Sequence, residues 1–241
     1  RVNILKSPTH RSVTWIGSIF LIQLTSVLLF GFVIFVGYFG NPDPIHNLVP
    51  TFIWVICWVG IAYTSAFVGD IWVILNPWKI TFEWFETLWI KLNSSRPLAP
   101  LMSYPQKAGV WPAFILFLIF AWIENVYSGS IIPERISQMI LTYSVITWLG
   151  MILFGKEAWI KHGEPFSLAF GLFAKFAPTE INSYYVDSTP NERGSDNADL
   201  LNPQDNVKTV NRKETQIFLR PFATGLLNRG NASTSEMLFV L

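Results

Sequence analysis

Charge is what this sequence has least of. Only 14% of its 241 residues are Asp, Glu, Lys or Arg, against about 25% in an ordinary soluble domain. Cysteine is nearly absent: the single Cys57 excludes an intramolecular disulfide and a thiolate metal cluster. Its place in an apolar run reads as a small core residue. The three histidines, His10, His46 and His162, fall on separate segments. No His-x-His, His-Glu-x-x-His or paired-Cys spacing occurs, so no metal site is expected. A glycine-rich phosphate loop and a Gly-x-Ser-x-Gly elbow are missing as well. So is a basic stripe with spaced aromatics, and nucleic acid is not an expected partner. No cofactor can be named from the sequence.

What is there is apolar: 51% of residues are hydrophobic and 16% aromatic, with eleven Trp. These residues come in long uncharged runs. Residues 12–42 carry no charge, and a second uncharged run ends at Gly69. A bilayer core about 30 Å thick needs about 20 apolar helical residues to cross it. The reading is an all-α, polytopic transmembrane helical bundle with four spans near 13–39, 47–69, 110–128 and 136–155. Residues 13–39 are too long for a signal peptide, and a second span follows almost at once. Asn41-Pro42-Asp43-Pro44 supplies the tight turn between the first two.

Lys and Arg collect on cytoplasmic loops. Arg1, Lys6 and Arg11 precede the first span, Lys79, Lys91, Arg96 and Lys107 separate the second from the third, and Lys156, Lys161 and Lys175 follow the fourth. The alternate loops, 40–47 and 129–135, hold only Arg135. The expected location is therefore a bacterial inner membrane, with the Arg1 end and residues 156–235 cytoplasmic.

Two apolar stretches are too short to span. In 80–92, Phe85, Leu88, Trp89 and Leu92 share a helical face, which predicts an interfacial helix. Residues 165–177 cover about three turns and suit a re-entrant or interfacial helix. Residues 179–215, rich in Ser, Asn, Asp, Thr and Pro, read as a flexible cytoplasmic loop. Residues 216–241 end in Met237-Leu238-Phe239-Val240-Leu241, the start of a further membrane segment. With Arg1 in first place, the chain reads as part of a longer protein.

Polar residues inside such a chain are the candidates for function. Glu124 interrupts the third span. Asp70 ends the second, six residues before Asn76-Pro77-Trp78-Lys79, where Pro77 forces Asn76 out of helical geometry and should break the helix at the cytoplasmic face. Glu157, His162 and Glu164 lie in the charged stretch after the fourth span, and Glu164 stands before Pro165, positioned to cap the following helix. Asp70, Glu157 and Glu164 are the candidate general bases. Asn76, Trp78, Lys79, His162, Arg220 and Glu124 are the candidate binding residues.

Several stretches together carry a resemblance: Asn47-Leu48-Val49-Pro50, Gly69-Asp70, Asn76-Pro77-Trp78, Ala121-Trp122-Ile123-Glu124, Gly155-Lys156-Glu157-Ala158-Trp159, Gly163-Glu164-Pro165-Phe166 and Leu219-Arg220-Pro221. They resemble a bacterial family of multi-pass membrane proteins, some of which carry the label fenitrothion hydrolase. The resemblance implies about twice this length and hydrolysis of an organophosphate-type ester. From the residues themselves, three classes stand open: a membrane hydrolase, a small-solute or proton transporter or channel, and a non-catalytic membrane subunit or assembly factor. The lipid bilayer is the expected partner, with other membrane subunits in the third case.

Overall fold

The computed structural model describes residues 2–3, 12–93, 98–187, 211–219 and 221–224. Arg220 lies outside the described residues, as do 188–210 and 225–241. The fold is the all-α bundle expected from the sequence, and among the described residues three helices are long and apolar enough to cross a membrane: Gly17–Phe39, Leu48–Phe67 and Pro133–Phe154.

Helix α1 (Ser12–Phe39) has 28 residues. A soluble helix buries one apolar stripe and shows a polar face to water. Here Phe20, Leu21, Leu28, Phe32 and Phe35 point outward, and Val33 and Gly37 are buried. An apolar helix of this length with its large side chains outside suits a lipid bilayer.

Helix α2 (Leu48–Phe67) begins where the Asn47 side chain accepts from the Val49 N–H. Its middle, Phe52–Gly60, is wound as a π-helix and carries Trp54 and Trp58. Trp54 donates to the Ser130 carbonyl (2.8 Å), and Trp58 packs on Phe117 and Phe120.

Past Gly69, whose φ of +144° is open to glycine, the chain turns into the short α3 (Trp72–Leu75) and then α4 (Pro77–Leu92). Helix α5 (Trp111–Asn125) has 15 residues. At 1.5 Å per residue it is about 22 Å long, shorter than the expected third span and than a bilayer core. Helix α6 (Pro133–Phe154) follows, then Gly155 at φ +86°, α7 (Lys156–His162) and α8 (Pro165–Phe173).

Pairwise contacts fix the levels of these elements. Gly37 of α1 meets Pro133 and Ser137 of α6 so closely that an added Cβ would lie 1.8 Å from Ser137 Oγ. The two helices therefore run antiparallel. Lower down, Ser26 of α1 donates to the Leu75 carbonyl (2.5 Å), and Trp78 donates to Ser144 of α6 (2.8 Å). The α3–α4 break thus sits level with the middle of both long helices.

From there α4 runs outward beside α1 and α6. Trp148 donates to Thr81 Oγ1 (3.2 Å), Phe20 contacts Trp84 (6.2 Å), and Glu86 reaches Lys156 (2.8 Å) just past the end of α6. Residues 80–92, read from the sequence as an interfacial helix, run beside α1 and α6 from mid-level to their ends. The physical reason is that Trp78, Ile80 and Phe82 are buried in the bundle core, which holds the first turns among the long helices. The face read from the sequence remains outward, with Phe85, Leu88, Trp89 and Leu92 all exposed.

Helices α3 and α4 form one hairpin, and α7 and α8 form a second that follows the same path. Trp159 of α7 packs back on Gly150 of α6, Glu164 reaches Tyr143, and Gly171 of α8 lies beside Asp70. The chain enters to mid-level at Glu164 and returns along α8, level with Tyr143 at one end and with Asp70 at the other.

Outside the bundle, Thr179–Asp187 (β2) and Asn211–Leu219 (β3) pair antiparallel, with Val2–Asn3 (β1) on the far edge of β3. The stretch 179–215, read as loop from its polar composition, therefore has a strand at each end. Ile181, Tyr184, Tyr185 and Val186 favour strands and face Ile217 to Arg212 in register.

Candidate functional site

The two hairpins share a plan. Each starts at a positive-φ glycine, Gly69 or Gly155. Each continues into a short helix with a buried Trp, Trp72 or Trp159, both 7% exposed. Each then reaches a cap residue followed by proline: Asn76-Pro77 or Glu164-Pro165. Asn76 Oδ1 accepts from Lys79 N–H (3.1 Å), and Glu164 Oε2 accepts from Ser167 N–H (2.6 Å). Proline at the first helical position has no N–H to leave unpaired. The aromatic after each proline, Trp78 or Phe166, stacks on the other (6.4 Å, 10° between planes). Two helix N-termini, the positive ends of their dipoles, therefore meet side by side level with the middle of α6.

Glu164 is the centre of this junction and is fully buried. Its Oε1 accepts from the Tyr143 hydroxyl (2.5 Å) and the Phe166 N–H (3.1 Å). Oε2 accepts from Ser167 N–H at 2.6 Å, with longer contacts from Trp72 Nε1 (3.4 Å) and Asn76 Nδ2 (3.5 Å). An acceptor-only carboxylate suits five converging donors. A buried carboxyl group without them would cost several kcal/mol. The cap foreseen at Glu164 is formed, and its oxygens are occupied.

Asp70 is different. Its Oδ1 is buried with no hydrogen-bond partner. Burial pushes its carboxyl above the usual range. The N–H groups of Val73 and Trp72 and the charge of Lys79 pull it back, and the charge of Glu164 adds to the rise. Asp70 borders a cleft of about 260 Å³ between the hairpins. One wall carries Trp72, Val73, Asn76 and Lys79, the other Lys161, Ser167 and Leu168. Since Asp70 follows the end of α2 and Asn76 is at mid-level, the cleft descends from the end of the bundle toward its middle. Below it the interior is filled by Trp58, Phe120, Phe166 and Phe170.

Among the residues singled out from the sequence, Asp70, Asn76, Lys79 and Glu164 come together here. Trp78 joins them as a core side chain, 8% exposed. It sits inside the bundle because its N–H finds Ser144 and its ring finds Tyr143 (4.9 Å). The break at Asn76-Pro77, expected at the cytoplasmic face, lies deeper for the same reason. Glu157 is exposed on α7. His162 stacks on Tyr104 (5.1 Å) with its Nδ1 3.1 Å from the Ala158 carbonyl. Glu124, one residue from the end of α5, makes no side-chain hydrogen bond among the described residues.

Tyr143, Trp72 and Ser167 are site residues that the sequence reading passed over. The recurrence of Gly, Trp, then Asn-Pro-Trp or Glu-Pro-Phe in residues 69–78 and 155–166 is the signal that would have found the pair of hairpins. Comparison with family models, with curated proteins and with solved structures gives no match to this chain.

Proposed function

We propose that this is a multi-pass membrane protein that carries protons or a small proton-linked solute, entering by the cleft between the two re-entrant hairpins. The observation that carries the reading is the meeting of two interrupted helices, at Asn76-Pro77 and Glu164-Pro165, level with the middle of the long spans. Membrane carriers build solute sites from helix breaks of this kind, where backbone N–H groups and polar side chains replace water. Asp70 is the exchangeable proton site, and Glu164 holds the two breaks together. The distribution of Lys and Arg supports an inner-membrane location with the cleft mouth on the cytoplasmic side. The test is proton flux in liposomes holding a pH-sensitive dye under an imposed potassium-diffusion potential. The wild-type protein shifts the lumenal pH and Asp70→Asn does not; equal leak from the two proteins and from empty liposomes contradicts the reading.

A second reading, ester hydrolysis at the cleft, is favoured by Lys79 and Lys161 lining the same cleft as Asp70, and it agrees with the family resemblance. Asp70 would take a proton from water as the water oxygen bonds to phosphorus. The bond to the leaving oxygen breaks, a lysine offsets its charge, and the proton on Asp70 passes to it. Turnover of a chromogenic phosphotriester by the purified protein, abolished in Asp70→Asn, would select this reading; absence of turnover alongside proton flux selects the first.

A further inference from the structure

The outer wall of α4 carries a feature that the cleft does not use. A groove of about 340 Å³ runs between α1 and α4, lined by Phe20 and Leu24 from one helix and Trp84, Thr87, Leu88 and Lys91 from the other. Phe20 and Leu24 are four apart, as are Trp84 and Leu88, so each pair forms one ridge along its helix. Apolar walls facing outward between two lipid-exposed helices admit an acyl chain.

The charges on α4 are sorted. Glu83 and Glu86 turn inward to Lys156, at 3.4 and 2.8 Å. Burial alone would lower the Lys156 ammonium, but its bond to Glu86 and the two carboxylate charges outweigh that and raise it. Lys91 is left on the groove side, exposed and with no carboxylate partner among the described residues. Thr87 Oγ1 is committed to the Glu83 carbonyl (2.8 Å). The ammonium of Lys91 is therefore the group open to a ligand here.

Depth agrees with charge. Leu75 is level with Ser26 and Trp84 with Phe20, so α4 and α1 run antiparallel. Lys91 lies two turns beyond Trp84, about 10 Å along the axis, and so level with the start of α1. That is where a bilayer places its phosphates when α1 spans it, with the ridges of the groove at acyl-chain depth.

We propose that the α1–α4 groove binds an anionic phospholipid, its acyl chain on Phe20, Leu24 and Leu88 and its headgroup phosphate on Lys91. This rests on the membrane orientation proposed above but not on the proton path or on hydrolysis. An anionic lipid, with net negative charge, fits a lone cation better than a zwitterionic one, whose own ammonium competes for the phosphate.

The full chain, purified in detergent and titrated with phosphatidylglycerol or phosphatidylcholine, is read by native mass spectrometry. The expected result is that the first phosphatidylglycerol binds about fivefold more tightly than phosphatidylcholine, the worth of one interfacial lysine. That preference disappears in Lys91→Gln, and Leu88→Asn weakens both lipids. Lys91 and Leu88 are exposed, so neither variant disturbs the core. Millimolar inorganic phosphate leaves the adduct in place, since the acyl chain supplies the larger part of the binding. Equal binding of the two lipids by the wild type, an unchanged preference in Lys91→Gln, or displacement by inorganic phosphate overturns the proposal.

Discussion

Tyr143, at the middle of α6, donates its hydroxyl to Oε1 of Glu164 across 2.5 Å, and this bond pins the tip of the second hairpin to a membrane span. A hydrogen bond to a charged group is worth about 1.5–3 kcal/mol. Tyr143→Phe is expected to destabilise the protein by that amount. Glu164→Gln is expected to cost more, because a side-chain NH₂ then confronts donors and one cap bond at Phe166 or Ser167 is lost. Thermal unfolding in detergent gives both values, and the double variant should fall short of their sum, as residues in one network do. Strict additivity would separate the two residues.

Packing at the second hairpin is tested at Gly150. A Cβ there would stand 2.3 Å from the ring of Trp159, which is also pressed against Gly163. Neither ring nor helix can yield by that much without moving α7. Gly150→Ala should cost about 1–3 kcal/mol, the usual range for overpacking, and Gly150→Ala combined with Trp159→Phe should recover part of it. A neutral Gly150→Ala would mean that α7 does not lie against α6.

The charge cluster at the far end of α4 behaves in the ordinary way for a lysine that gains partners. Its folded-state pKa lies above the usual 10.5, so its stabilisation is fully present below that value and is lost as pH rises through the folded value. Lys156→Gln should lower stability by about 1 kcal/mol at pH 7, since the cluster is half-shielded from water. The difference from the wild type should shrink at strongly alkaline pH. A difference that persists unchanged there would assign the effect to packing.

Asp70 has the opposite sign. Its folded-state pKa is raised by burial, so ionising it costs stability as pH climbs from the ordinary value of 3.8 through the folded one. Asp70→Asn is expected to melt higher than the wild type at pH 7. The gap should close as pH falls toward 4. A more stable variant that has lost transport is the pattern of a functional group held at a structural cost. A gap independent of pH would show that Asp70 is not ionised in the cleft.

The long helices were legible because hydrophobic runs of twenty or more residues have few other solutions, and α1, α2 and α6 fall where the runs predict. The cap at Glu164 and the non-helical Asn76 were legible because proline dictates the geometry of the residue before it. Depth was not. Whether Asn76-Pro77 breaks at a surface or inside the bundle depends on partners far along the chain, Ser26 and Ser144, which satisfy the groups of the break. Tyr143 stayed hidden for a related reason, since a tyrosine within an apolar span reads as ordinary until the carboxylate that it meets is known. The strands Thr179–Asp187 and Asn211–Leu219 were hidden by the polar composition around them. Glu124 attracted notice as an acid in an apolar helix, and α5 proved short enough to leave it near an end.

The proposed function requires a polar cleft between the two hairpins that descends to the middle of the membrane. It is tested most directly by placing cysteines in a Cys57→Ser background and labelling with a membrane-impermeant thiol reagent in oriented vesicles. Ser167→Cys, deep in the cleft, should react from the cytoplasmic side, whereas Leu29→Cys, at a similar level on the outside of α1, should not. Ser167→Cys that stays inert while Val73→Cys in the same cleft is also unreactive, or Leu29→Cys that reacts as fast, would contradict the account.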